Sequence, residues 1–246
     1  MNKNEKKFTR QYKGVLISET TPFAYEEAFN TLRTNILFCA NNEKCPVFGI
    51  TSPLANSGKS VITSNLSLVF SNLGKKVLLI DCDLRNHTID KIFDLNVESG
   101  LSRFLSQADV SLSESLVKDV RPGLDVLPCG KIPPNPAELL SSAKMKQLLD
   151  MARETYDYIF LDFPPILEVS DAATLSQSVT GYVMLARAGV TDTGALKKAV
   201  SAIEMLGAKI VGVVINGSNL KNGYYYKKSY RRYGYGYGYG YGKKQD

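Results

Sequence analysis

An apolar run, a loop of small residues and a helix follow one another near residue 50. The run VFGIT at 47–51 has the length and apolar content of a buried strand. It leads through SPLANSGKS into helical spacing from about Lys59 to Asn72, and Gly74 is a plausible stop for that helix. Gly58, Lys59 and Ser60 fall at the first turn, where backbone N–H groups attract an anion. The sequence therefore predicts a loop that binds the phosphates of a nucleotide.

Strand-like and helix-like segments alternate along the rest of the chain. The continuous apolar run KVLLI at 76–80 is typical of a parallel strand that is buried on both faces. The alternation predicts an α/β fold with a mostly parallel sheet flanked by helices. Together with the phosphate-binding loop this is a fold of the P-loop NTPase type, followed by a disordered tyrosine-rich C-terminal tail. The predicted strands are 47–51, 76–80, 124–127, 158–161, 182–186 and 209–215, and the predicted helices are 22–41, 59–72, 141–154 and 193–206.

Composition divides the chain into three segments. We predict an extended N-terminal arm at 1–20, a P-loop domain at 21–220 and a disordered tail at 221–246. The tail holds seven Lys or Arg and one acid, so it carries the whole net charge of +6, and the remaining residues are balanced. It has no aliphatic side chain with which to bury a core.

The composition also excludes several classes of protein. The four cysteines show no CxxC spacing and the chain has one histidine, which argues against disulfides and a zinc site. The polar N-terminus is not a signal peptide, and no apolar run approaches the ~18 residues of a membrane span. We therefore expect a cytoplasmic protein.

Acidic residues end two of the predicted strands. Asp81 and Asp83 follow KVLLI, and Asp162 follows YIFL. Ligands of open α/β sheets bind at the carboxyl ends of the strands, so these carboxylates and Ser60 should converge on one metal–phosphate site. Lys59 would reach the β- and γ-phosphates and the Ser60 hydroxyl would bind Mg²⁺. The alternative is that the acids only end strands and cap helices.

Several motifs in this order resemble the bacterial tyrosine kinases (BY-kinases) of the cytoplasmic type found with capsule and exopolysaccharide export. VLLIDCDLR resembles the second Walker motif of that family, called A′, and FLDFPP resembles its Walker B motif. The segments GLSRFL (100–105), LPCGKIPPNPAELLSS (127–142) and EAF-x₂-LRTNI (27–36) also match the family pattern. The resemblance covers roughly residues 20–218, and the tyrosine-rich tail matches as well.

The resemblance implies the chemistry and the site residues of a protein-tyrosine kinase. ATP and Mg²⁺ would be the cofactors, and the reaction would convert ATP and protein tyrosine to ADP and phosphotyrosine. Asp81 lies where the family places a candidate base for the tyrosine hydroxyl, and Asp83 and Asp162 would hold Mg²⁺ directly or through water. Asn216 resembles an adenine-contacting position, although it could equally be a turn residue. The residues expected to bind the nucleotide are Asn56, Ser57, Gly58, Lys59, Ser60, Val61 and Asn216.

The sequence departs from the family pattern in three places. The family loop reads P-G-x-G-K-[ST], whereas this loop has Ala55 and Asn56 in place of proline and glycine. Because asparagine tolerates positive φ, we expect Asn56 to adopt the conformation of the missing glycine. Asn30 replaces the middle arginine of the oligomerisation motif E-x-x-R-x-x-R. His87 lies where the family often has proline, and we expect it at the surface.

The tail supplies a dense group of phosphate acceptors. We predict autophosphorylation in trans of the nine tyrosines at 224–241, and each phosphate would add about −1.5 to −2 charges. A low-complexity adhesive segment, or one that stacks on single-stranded nucleic acid, is the alternative for the tail alone. The predicted sites are Tyr224, Tyr225, Tyr226, Tyr230, Tyr233, Tyr235, Tyr237, Tyr239 and Tyr241.

The resemblance further implies partners and a cellular role. It implies a membrane-spanning adaptor of the polysaccharide co-polymerase type that recruits the chain to the inner face of the plasma membrane. A homo-oligomer, which could be a ring, and a cognate tyrosine phosphatase are implied as well. The role would be regulation of capsular or exopolysaccharide synthesis and export, with no nucleic-acid partner.

Two other functions share the predicted fold. A partitioning or division-site ATPase without kinase activity is the main alternative, but those proteins carry an early lysine in the loop where this chain has Leu54. They also lack a tyrosine-rich tail. A nucleic-acid-binding ATPase is the second alternative, and strong, salt-sensitive binding to single strands would favour it.

Overall fold

The computed structural model describes residues 14–40 and 43–218, and the bounds below refer to that part of the chain. The strands are β1 (Val47–Thr51), β2 (Val77–Asp81), β3 (Val117–Arg121), β4 (Leu124–Leu127), β5 (Tyr158–Asp162), β6 (Gly181–Arg187) and β7 (Ile210–Asn216). The longer helices are α1 (Phe23–Cys39), α2 (Lys59–Ser71), α7 (Ala143–Arg153) and α9 (Thr193–Met205). The shorter ones are α3 (Ile89–Ile92), α4 (Leu101–Ser106), α5 (Leu112–Ser115), α6 (Pro136–Leu140) and α8 (Asp171–Thr174).

The strands form one sheet in the order β3-β4-β2-β5-β1-β6-β7. Neighbouring strands are parallel, except that β3 pairs antiparallel with β4. The α/β class and the mostly parallel sheet are therefore confirmed. The central strands β1 and β2 are buried along their whole length, as their continuous apolar runs predict.

Each face of the sheet is covered by its own layer of helices. Leu78 and Ile80 of β2 pack into a core with α4, α7 and α9. Val77 and Leu79 point the other way, into a second core with α1 and α2. This alternation has the period of two that a β-strand imposes on its side chains.

The predicted strands and long helices agree with the structure to within two residues at every end. Gly74 has φ +76° and donates to the Ser71 carbonyl at 2.8 Å, so it stops α2 as predicted. Strand β3 and the five short helices were not predicted. The residues of β3, VKDVR, are mostly exposed and mostly charged, so they lack the apolar run that marked the other strands.

The described part of the N-terminal segment is attached to α2. Asn65 of α2 accepts a hydrogen bond from the Ile17 amide at 2.7 Å and donates one to the Val15 carbonyl at 2.9 Å. The predicted tail at 221–246 and residues 1–13 of the predicted arm lie outside the described residues. Within 14–40 and 43–218, no helix combines the length and apolarity needed to cross a membrane.

Candidate active site

The loop between β1 and α2 has two residues with left-handed backbone conformations. Asn56 has φ +58° and Gly58 has φ +89°. Asn56 thus adopts the backbone conformation that the sequence predicted for it. Gly58 is the residue immediately before α2, and its carbonyl accepts the first helical hydrogen bond from Ile62 at 3.0 Å.

A side chain from the end of β7 lies against this loop. Asn216 Nδ2 donates to the Ser57 carbonyl at 2.9 Å. A Cβ built on Gly58 would lie 2.3 Å from the same Nδ2 atom. Glycine at position 58 therefore serves two needs, a left-handed backbone and the close approach of Asn216.

Two further side chains hold the tip of the loop from outside. Glu168, in the segment after β5, accepts a hydrogen bond from the Ala55 amide at 2.8 Å. Arg187, the last residue of β6, donates from Nη1 to the Asn56 carbonyl at 3.0 Å. The sequence analysis did not find either residue, because their partners lie more than a hundred positions away in the chain.

The sheet register brings the acidic strand ends together. Asp81, the last residue of β2, is the register partner of Asp162, the last residue of β5. Ile50 of β1 is the register partner of Asp162 on the other side. The loop after β1 therefore lies beside the two carboxylates at one edge of the sheet, as the sequence predicted for parallel strands.

Asp162 is fully buried and only half satisfied. Its Oδ1 accepts the Thr63 hydroxyl at 3.0 Å, whereas its Oδ2 has no hydrogen-bond partner among the described residues. Burial raises the pKa of Asp162 from its ordinary value of 3.8 to about 6, although the nearby Lys59 charge and the Ser60 hydroxyl oppose this rise. Lys59 is itself 8% exposed, so its charge lies inside the site.

Asp81 and Asp83 are oriented by backbone amides. Asp81 accepts from the amides of Asp83 at 3.1 Å and Ile89 at 3.3 Å. Asp83 Oδ1 accepts from the Asn86 amide at 2.9 Å. Burial first, and then the charges of Asp162 and Asp83, raise the pKa of Asp81 well above its ordinary value.

These groups fit a divalent cation that prefers oxygen ligands. Oδ2 of Asp162 is a buried acceptor without a donor among the described residues, and such an atom is normally bound by a cation or a water molecule. Three carboxylates share the edge with one buried lysine, so a cation would offset their repulsion. Asp83, Asp162 and the Ser60 hydroxyl are the groups that would hold it.

Other predicted binding residues contribute differently. The side chain of Val61 is partly buried against the core around α1 and α2, so only its backbone is available to a ligand of the loop.

His87, which we expected at the surface, has a side chain that is only 21% exposed. Its Nδ1 lies 3.0 Å from Asp90 Oδ1.

An ion pair joins the segments that follow the two acidic strand ends. Arg85 donates from Nε and Nη2 to the two carboxylate oxygens of Asp171, at 2.8 and 2.9 Å. Asp171 is fully buried at the start of α8, whereas the Arg85 side chain is 42% exposed. The pair ties the turn that carries Asp83 to the segment that follows Asp162. The sequence analysis did not find this pair.

This fold and loop define a P-loop nucleotide-binding protein. The family model of the AAA domain matches residues 55–205. The MinD structure of Pyrococcus horikoshii shares the fold alone, at 20% identity, a TM-score of 0.58 and coverage of 70% of both chains.

Closer similarities identify the family. Tyrosine-protein kinase YwqD of Bacillus subtilis is 38% identical over 89% of this chain and 94% of its own length. Tyrosine-protein kinase CpsD of Streptococcus agalactiae is 35% identical over 85% of this chain and 90% of its own length. The kinase domain of Escherichia coli ETK has a TM-score of 0.75 at 33% identity, covering 87% of this chain and 80% of that one. The chain belongs to the bacterial tyrosine-protein kinase family.

Proposed function

We propose that this chain is an ATP- and Mg²⁺-dependent protein-tyrosine kinase that phosphorylates the tyrosine cluster at 224–241 of another copy. The names of the similar proteins support kinase activity. The observation that carries the proposal is that Lys59, Asp81 and Asp162 lie close together beside the loop, and that the buried Oδ2 of Asp162 has no hydrogen-bond donor among the described residues.

The loop, Lys59 and the metal-binding groups bind and neutralise the phosphates in this proposal. The amides of the loop and of the first turn of α2 bind the phosphates, and Lys59 neutralises charge on the transferred group. A bound Mg²⁺, which Ser60, Asp83 and Asp162 would hold, would neutralise further charge. Ser57, the backbone of Val61 and Asn216 complete the contacts to the nucleotide.

Asp81 accepts the proton of the tyrosine hydroxyl in this proposal. A free tyrosine has a pKa of about 10, so its proton must leave during transfer. A carboxylate with a raised pKa is a better proton acceptor than an ordinary one. The two amides that donate to Asp81 fix its orientation for this step.

Intact mass spectrometry tests the proposal directly. The protein is incubated with Mg-ATP and the cytoplasmic segment of the adaptor, and the mass gain is located by peptide mapping. We expect successive additions of about 80 Da per phosphate, confined to residues 224–241. The variant Lys59→Met should show none, and Lys146→Met, a matched change at an exposed lysine of α7, should behave like the natural protein.

The same experiment separates the alternatives. ATP hydrolysis without a mass gain would favour a partitioning-type ATPase and leave the tail as a binding element. Salt-sensitive binding to single-stranded nucleic acid, without phosphorylation, would favour the nucleic-acid alternative.

We also propose a homo-oligomer, which could be a ring, that docks on a membrane-spanning adaptor and is reset by a cognate phosphatase. Three or four phosphates would cancel the charge of +6 on the tail, which would weaken its assembly with neighbours. If a tail with all nine tyrosines changed to phenylalanine still alternated between assembled and free forms, this reversal of charge would not control assembly. The role would be control of capsular or exopolysaccharide synthesis and export.

Helix α1 bears on this assembly. Asn30 Nδ2 donates to Glu27 Oε1 at 2.9 Å, so the acid is engaged within its own helix. Arg33 Nε is buried and has no hydrogen-bond partner in the described part of the chain. We expect Asn30→Arg to strengthen self-association, which mass photometry measures as a shift toward larger species.

A further inference from the structure

A groove of about 490 Å³ lies at the carboxyl end of β4, outside the loop and the acidic strand ends. Its volume falls within the ~300–1,000 Å³ that is typical of small-ligand sites. Its walls are α4 and the segment 131–135. Both belong to motifs singled out in the sequence, 100–105 and 127–142, and neither contributes a group to the site described above.

The walls of the groove are joined by backbone contacts. The amides of Leu101 and Ser102 donate to the carbonyls of Pro128 and Cys129 at 2.8 and 3.0 Å. The Ser102 hydroxyl donates to the Lys131 carbonyl at 2.5 Å. These bonds hold the groove open in a fixed shape, which lowers the cost of ordering it around a ligand.

The groove presents cations that have no anionic partner. Arg103 and Lys131 are exposed, and neither forms an ion pair within residues 14–40 and 43–218. Arg103 uses Nε to donate to Gln107 Oε1 at 3.1 Å, and its terminal N–H groups make no hydrogen bond within those ranges. Glu98 lines the same groove, so the balance of these three charges is positive.

Apolar surface lies beside these cations. Ile132 is 59% exposed, and Pro133 and Pro134 also line the groove. A phosphorylated aromatic ring would match both the charged and the apolar surface of the groove, with its phosphate at the cations and its ring against the apolar residues. An unmodified tyrosine would leave the cations unpaired.

The groove follows β4 on the same edge of the sheet as the carboxylates of the active site. Strand β4 is the neighbour of β2, which ends at Asp81, and β1 is two strands further on. At about 4.8 Å per strand, the end of β4 lies ~5–14 Å from the ends of β2 and β1, a distance that two to four extended residues span. In the segment 233–241 every second residue is tyrosine, so residues two and four positions from an acceptor tyrosine are tyrosines as well.

We propose that this groove binds a phosphotyrosine already present on the substrate, two or four residues from the tyrosine being phosphorylated. The enzyme then prefers partly phosphorylated substrates, so one phosphorylation promotes the next. This inference rests on the proposed kinase activity, and it assigns a substrate class to that activity.

Peptides with a single acceptor test the proposal. Each has the sequence of residues 231–243, with Tyr233 as the acceptor and phenylalanine at the other tyrosines. In the primed forms, phosphotyrosine stands at 235, 237 or 239, which are two, four or six residues from Tyr233. We expect kcat/KM to be about tenfold higher for priming at two or four residues than for the unprimed peptide. Priming at six residues should give little gain.

Substitutions in the groove should remove the preference without removing activity. In Arg103→Ala/Lys131→Ala the primed and unprimed peptides should react at rates within about twofold of each other. The unprimed peptide should react as it does with the natural protein. Arg121→Ala is the matched control, because Arg121 is an exposed arginine on β3 and does not line the groove.

Three outcomes would overturn the proposal: equal rates for primed and unprimed peptides, a preference that survives the double substitution, or the same preference for glutamate in place of phosphotyrosine.

A second variant tests the groove if the double variant folds poorly. Ser106→Glu adds a carboxylate to the same groove, and it should also abolish the preference for primed peptides. Fluorescence anisotropy with the labelled phosphopeptides measures binding without turnover. Failure to phosphorylate any peptide would count against the kinase proposal, while loss of phosphopeptide binding in the double variant would still support the groove.

Discussion

Replacing Asp162 with asparagine should stabilise the protein in the absence of nucleotide and metal while it removes activity. The carboxylate is fully buried, its Oδ2 has no hydrogen-bond donor in the described residues, and its pKa is raised to about 6. Above pH 6 the folded protein therefore holds a charge that the unfolded chain would carry at lower cost. The variant keeps an oxygen that can accept from Thr63, so this hydrogen bond need not be lost.

The size of the effect follows from the two pKa values. The interval between 3.8 and about 6 corresponds to about 3 kcal/mol, at about 1.36 kcal/mol for each pH unit. A carboxyl whose pKa is raised on folding contributes stability that is present below pH 3.8 and is lost as the pH rises through about 6. Asp162→Asn should thus raise the free energy of unfolding by up to about 3 kcal/mol at pH 7.5 and by less than about 1 kcal/mol at pH 4.

Urea unfolding at pH 4, 5, 6 and 7.5, with EDTA and without nucleotide, measures this difference. Asp109→Asn is the control, because Asp109 is exposed and should show no such pH dependence. Equal stability of Asp162→Asn and the natural protein at every pH would show that burial of this charge has no cost, and the reasoning on the site would be wrong. Saturating Mg-ATP should stabilise the natural protein more than the variant.

Three further predictions concern the loop and the ion pair. Asn56→Gly should keep nucleotide affinity within about twofold, whereas Asn56→Val should lower it by at least tenfold in a fluorescent-nucleotide titration, because a β-branched residue is strained at this φ. Gly58→Ala should lose nucleotide binding, since its Cβ meets Asn216, and Gly58→Ala/Asn216→Ala should recover only part, because φ stays at +89° and the proposed contact of Asn216 with the nucleotide is lost. Arg85→Met should lower the free energy of unfolding by about 2 kcal/mol by leaving Asp171 buried without its partner, less than for a fully buried pair because Arg85 is 42% exposed, and adding Asp171→Asn should restore most of this loss. No recovery in the double variant would mean that the arginine acts through packing.

The order of the strands along the chain could be predicted because their apolar runs are continuous. Parallel strands that are buried on both faces need such runs, and the acidic residues that interrupt them mark the carboxyl ends. From the sequence this placed Asp81 and Asp162 at one edge, and the register pairs them. The antiparallel β3 was missed because its residues are mostly polar. The turn Pro122-Gly123 was the available signal, since proline followed by glycine favours a tight turn between two strands.

Contacts between distant residues could not be predicted in this way. Hydrophobic periodicity reports which face of an element is buried, but it does not report which polar side chain a turn will meet. Arg85 and Asp171 are 86 positions apart, and nothing local to either residue marks the pair. The groove beside β4 was missed for the same reason, since it forms only when 100–105 and 127–142 lie side by side.

The departure of the loop from its family pattern shows how such contacts matter. A loop with proline and glycine at 55 and 56 would have its conformation set largely by those residues. Here the left-handed residue is Asn56. Glu168 accepts from the amide of Ala55, and Arg187 donates to the carbonyl of Asn56, so both side chains hold the loop tip. Glu168 lies six residues after Asp162 in the segment that follows β5. The tip of the loop is therefore attached to the segment that follows Asp162, so a shift of that segment would move the loop with it.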